Sequence, residues 1–65
     1  MNRIDVDRMD VHLLYSLINT KLRNEYADLE DLARGLDIDR AALETRLGEA
    51  GYAYYAEARQ FRRVD

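Results

Sequence analysis

The sequence predicts a mostly α domain: three helices, the second and third set across a tight turn, closed by a short C-terminal β-hairpin. Three observations predict it. Apolar residues recur at helical spacing in three separate runs, and each run is preceded by an aspartate of the N-cap type, Asp10, Asp28 and Asp39. Between residues 32 and 47 the small and apolar residues Ala33, Leu36, Ile38, Leu43 and Leu47 fall where two short crossed helices need them. After Gly51 the pattern changes to closely spaced tyrosines, which favour a pleated surface.

The first helix is expected from about Asp10 to about Asn24. Leu14, Leu17, Ile18 and Leu22 form its inner stripe, and Val11 and Leu13 broaden it. Asp7 with Asp10 offers a competing start, but Val11 begins the periodicity, which favours Asp10 as the cap. Lys21 and Arg23 lie near the negative end of the helix dipole. Asn24 to Ala27 make a short connection from which Tyr26 folds back on the core.

Asp28 followed by Asp31 marks the second start, and Leu29, Leu32, Ala33 and Leu36 carry a helix that ends near Leu36. Asp39 opens the third helix, with Leu43, Leu47 and Ala50 turned inward and Gly51 as a left-handed C-cap. The last segment admits two readings. Tyr52 and Tyr54 alternate as in a strand, with Gln60, Phe61 and Arg62 as its partner, yet Ala56, Glu57 and Ala58 are helix formers, and Tyr54, Ala58 and Phe61 also fit helical spacing. The three tyrosines directly after a capping glycine favour the hairpin.

At 65 residues, the chain is one domain. A folded core is expected over residues 9–61, with flexible ends at 1–8 and 62–65. A core of this size nets only ~3–5 kcal/mol without staples or partners. The chain has no cysteine, which excludes disulfides and thiolate metal sites. Its 48% hydrophobic and 35% charged residues describe a globular chain, without a membrane-length apolar run or a signal-peptide core. A cytoplasmic protein is the simplest expectation.

The spacing of residues 32–47 resembles that of helix-turn-helix and winged-helix proteins. The turn position usually held by glycine is Asp37, one of the few residues that visit left-handed φ at modest cost. The outward residues of the third helix are Arg40, Ala41, Glu44, Thr45 and Gly48, and only Arg40 is of a base-reading type. Residues 28–50 carry seven acids against three arginines, whereas Arg59, Arg62 and Arg63 lie in a tail segment without an acid. Nucleic acid is therefore disfavoured at the third helix. If it binds at all, the contact should come from the tail arginines, with Tyr55 stacking. The competing reading pairs the basic tail with the acidic surface of residues 28–50, in the same chain or in a second copy.

Nothing in the sequence points to catalysis. His12 stands without a second histidine or a cysteine, and Ser16, the only serine, sits within the first helix with no catalytic base implied for it. Asp5, Asp7 and Asp10 lack the central glycine and closing glutamate of a calcium loop. No glycine loop cradles a phosphate. No catalytic residue, metal ligand, cofactor or small-molecule substrate is implied, and an enzyme is not expected.

Met9-Asp10, Leu14, Asn19 to Arg23, Tyr26, Leu29, Leu36 to Asp39, Leu47, Gly51-Tyr52, Tyr54 and Gln60-Phe61 together resemble a family of short bacterial proteins classed as a domain of unknown function. The resemblance implies no activity or partner. Two departures stand out: Val11 replaces a common proline, and Ala56-Glu57-Ala58 replace polar turn residues. Asn19, late in the first helix, is expected to bond to backbone in the loop before the second helix. With Lys21 and Arg23 it could instead mark a binding surface. The sequence reading is thus a non-enzymatic interaction module for a protein or for itself, with a winged-helix-like nucleic-acid binder as the alternative. Its candidate contacts are Arg40, Arg59, Arg62, Arg63, Tyr55, Lys21 and Arg23.

Overall fold

A computed structural model describes residues 5–64. Three helices, α1 (Val11–Asn24), α2 (Leu29–Leu36) and α3 (Arg40–Glu49), precede two antiparallel strands, β1 (Tyr52–Tyr55) and β2 (Gln60–Arg63). No helix among the described residues is long and apolar enough to cross a membrane.

The caps form as the sequence requires. Asp10 accepts from the amides of His12 and Leu13, each at 3.1 Å, and Asp39 accepts from Ala41 at 3.0 Å. Asp28 accepts from Asp31 at 2.8 Å, while the Asp31 carboxylate reaches back to the Ala27 amide at 3.1 Å. Each bond satisfies a donor that a helix start or its approach leaves open. Asp37 takes the left-handed conformation (φ 58°, ψ 48°) after α2, and the next amide, Ile38, donates to Ala33 at 2.9 Å. That closure ends α2 and turns the chain into α3.

The core is Leu14, Ile18 and Leu22 from α1, Leu29, Leu32 and Ala33 from α2, Leu43 and Leu47 from α3, and Tyr52 and Phe61 from the strands. Leu13 departs from expectation: it is 64% exposed. At about 100° per residue it sits one step off the Leu14–Ile18–Leu22 line, on the flank left exposed among the described residues. Val11 and Tyr15 widen the stripe on the other side. Tyr26 folds back as predicted, and its ring lies so close over Gly35 that a methyl there would collide with it.

The hairpin forms with register Tyr52↔Arg63, Ala53↔Arg62, Tyr54↔Phe61 and Tyr55↔Gln60. Its four-residue loop explains how helix formers make the turn. Ala58 donates to the Tyr55 carbonyl and Arg59 to the Ala56 carbonyl, both at 3.1 Å, which is a single helical turn. Arg59 then reverses the chain at φ 52°. The expected flexible ends lie partly outside the described residues, at 1–4 and 65. Within the described chain, Met9 closes a turn onto Asp5 at 3.0 Å, and β2 continues to Arg63, past the expected boundary at 61.

Candidate interaction face

Packing of the hairpin on α1 creates the candidate site. Asn19 holds the two together with both ends of its amide: its Nδ2 donates to the Phe61 carbonyl at 3.0 Å, and its Oδ1 accepts from the Phe61 amide at 2.7 Å. The expected partner in the loop before α2 is thereby corrected. Asn19 is a backbone-bonding residue, but its partner is a strand edge 42 positions along the chain. A carboxamide matches the donor–acceptor pair that one residue of a strand presents, so it caps the edge as a neighbouring strand would.

Beside this clamp, Asn19, Leu22, Arg23, Ala58, Arg59 and Gln60 line a shallow groove of about 220 Å³. Arg23 comes from the last turn of α1, and Arg59 comes from the hairpin loop. Neither meets a carboxylate among the described residues, and Arg59 makes only a 3.4 Å bond to the Ala27 carbonyl. Two cations 36 positions apart thus share one concavity beside the Asn19 clamp.

The remaining candidates are placed differently. Arg62 lies 5.9 Å above the ring of Tyr55, which is 39% exposed, on the outward face of the hairpin. Arg63 is exposed at the end of β2. Lys21 pairs with Glu25 at 3.2 Å and stays off the groove. Arg40 bridges two helices, bonding Glu44 on α3 at 2.7 Å and Glu30 on α2 at 3.1 Å. The bond to Glu44, and after it the bond to Glu30, raises the Arg40 pKa above its ordinary value. The one base-reading side chain on the outward face of α3 is therefore engaged by acids of its own chain.

The other tyrosines serve packing. Tyr52 stacks on Tyr15 with centroids 3.9 Å apart and meets His12 Nδ1 through its hydroxyl at 2.8 Å. The Tyr54 hydroxyl accepts from the Leu29 amide at 3.3 Å, closing a donor at the start of α2. Sequence reasoning also missed Arg46, whose guanidinium donates to the carbonyls of Val6 and Met9, each at 3.2 Å, and pins the N-terminal turn to α3. No local signal reveals such a bond, because its acceptors are backbone atoms far along the chain.

A family model described as "Domain of unknown function (DUF4250)" matches residues 8–61 of the chain. No curated protein and no solved structure matches it.

Proposed function

We propose, for a chain that belongs to the DUF4250 family of unknown function, a small non-enzymatic interaction module whose α1–hairpin face receives an acidic segment of a protein. The observation that carries the reading is the contrast in how the arginines are engaged. Arg40 on α3 is bound by Glu30 and Glu44, while Arg23 and Arg59 line one groove without a carboxylate partner among the described residues. The amides of Asn19 and Gln60 add polar contacts there, and Leu22 gives the groove an apolar floor.

A short acidic segment suits this site better than a duplex does. The chain carries a net charge of −3, and the acids of residues 28–50 repel an extended polyanion more than a ligand that covers only the groove. Contact of the hairpin with nucleic acid is a second reading, supported by Arg62 beside the exposed Tyr55 ring. Binding of a labelled oligoglutamate and of a random duplex at ~50 mM salt separates them. The first reading predicts peptide binding that Arg23→Ala or Arg59→Ala each weakens about fivefold, the equivalent of ~1 kcal/mol of rim electrostatics. A duplex shift that fades steeply with salt, with no peptide binding, would replace it by the second.

A further inference from the structure

The two edges of the hairpin are treated differently, and the difference points to a second copy of the chain. Val64 donates to the Gly51 carbonyl at 2.6 Å, and both backbone groups of Phe61 are taken by Asn19. These bonds fix the phase of the ladder. The pairs Gly51–Val64, Ala53–Arg62 and Tyr55–Gln60 exchange bonds, so Phe61 turns its amide and carbonyl outward on β2, and Tyr52 and Tyr54 turn theirs outward on β1.

On the β2 side the outward groups of Phe61 are capped by Asn19, and Arg62 and Arg63 add charge to the strand. On the β1 side the backbone groups of Tyr52 and Tyr54 meet no partner among the described residues. The strand itself reads YAYY, with high β propensity, no charge and no proline, so its four-residue length is the one protective device it carries against edge pairing.

We infer that β1 pairs antiparallel with β1 of a second copy, joining two hairpins into a four-stranded sheet across a two-fold axis at Ala53. Only a self-pairing centred on Ala53 opposes Tyr52 of each copy to Tyr54 of the other, and it lets the outward groups form four backbone bonds. The same register sets the small Ala53 against its own copy and Tyr55 against Gly51. An aromatic ring over a strand glycine covers backbone that is otherwise bare. A two-stranded hairpin is the minimum sheet, and doubling it supplies the support that so small a core lacks. The contact is short, so the dimer is populated only at high protein concentration.

Sedimentation equilibrium up to ~1 mM tests the pairing. The unaltered chain is expected to rise in mean mass with concentration. Ala53→Lys and Ala53→Glu are each expected to stay monomeric, because like charges would stand directly opposed at the axis. An equimolar mixture of the two should recover the dimer. Should charge at position 53 unfold the chain, hydrogen exchange in the unaltered protein decides. The Tyr52 and Tyr54 amides should slow with concentration, while those of Ala53 and Tyr55, already paired with β2, should not change. A monomer throughout, or mass and exchange that ignore position 53 and the β1 edge, overturns the inference. So does a dimer abolished by Arg23→Ala or Arg59→Ala, which would place the contact in the groove. A monomer leaves the groove reading untouched, since oligoglutamate binding is measured independently.

Discussion

On α3, Arg40 meets carboxylates of Glu44 at 2.7 Å and Glu30 at 3.1 Å; in the hairpin loop, Arg59 donates to the Ala27 carbonyl at 3.4 Å and meets no carboxylate among the described residues. The same side chain does different work in the two regions. The α2–turn–α3 unit is closed upon itself, its apolar face in the core and its outward arginine held by its own acids. The α1–hairpin region is held by the Asn19 amide clamp, the Tyr15–Tyr52 stack and the buried Phe61, and directs cations toward solvent. Crossed-helix spacing in this chain therefore serves packing, and the arginines without a carboxylate partner among the described residues lie elsewhere.

The strongest way to break that comparison is to release the clamp. Asn19→Ala strands the amide and carbonyl of Phe61 and should cost about 2 kcal/mol. Denaturant titration would read it as a lower midpoint at unchanged slope. Hydrogen exchange should show protection lost first over residues 52–63, with α2 and α3 keeping theirs; uniform loss would mean that the hairpin and the helical unit are not separable in this way.

Gly35→Ala probes the closed unit and is expected next in size. The added methyl meets the Tyr26 ring, and the collision should outweigh the gain in helix propensity by about 1 kcal/mol. In a Tyr26→Ala background the sign should reverse, with Gly35→Ala now stabilising by up to ~1 kcal/mol. A thermal melt of the four chains completes that cycle.

Arg59→Gly sharpens the comparison because stability and binding should move in opposite directions. Residue 59 has φ 52°, where a side chain is strained and glycine is not. The substitution should stabilise the fold by about 0.5–1 kcal/mol while weakening oligoglutamate binding. Loss of stability instead would mean that the Arg59 side chain holds the loop together.

Arg40→Ala should have the smallest effect. Its ion pairs are exposed and solvent-screened, so about 0.5 kcal/mol or less is at stake, and peptide binding should not change. Because its raised pKa lies far above neutrality, its contribution should be flat across the physiological pH range. A drop in binding as large as that from Arg23→Ala would erase the distinction between the two faces.

What the sequence reveals follows the range of each interaction. The caps at Asp10, Asp28 and Asp39, the turn at Asp37 and the inner leucines are set within one or two helical turns, and all were readable from residue type and spacing. The hairpin was readable from its tyrosines but not from its loop, because a loop of one helical turn accepts the very residues that argue for a helix. Leu13 was misplaced because periodicity marks a stripe without saying which flank a neighbour will cover. For the candidate face, the basic residues could be named, but their state could not. Whether Arg40 is bound depends on how α2 packs on α3, and whether Arg23 and Arg59 share a groove depends on how the hairpin packs on α1. Both are tertiary facts.

The claim that the α1–hairpin face is the contact surface is tested most directly by adding an oligoglutamate peptide to the isotopically labelled chain and following its amide resonances at low salt. Saturable shifts centred on Asn19, Arg23, Ala58, Arg59 and Gln60 are expected, removed by Arg59→Ala and retained in Arg40→Ala. Shifts centred on Arg40 to Gly48, or none that saturate, would contradict that claim.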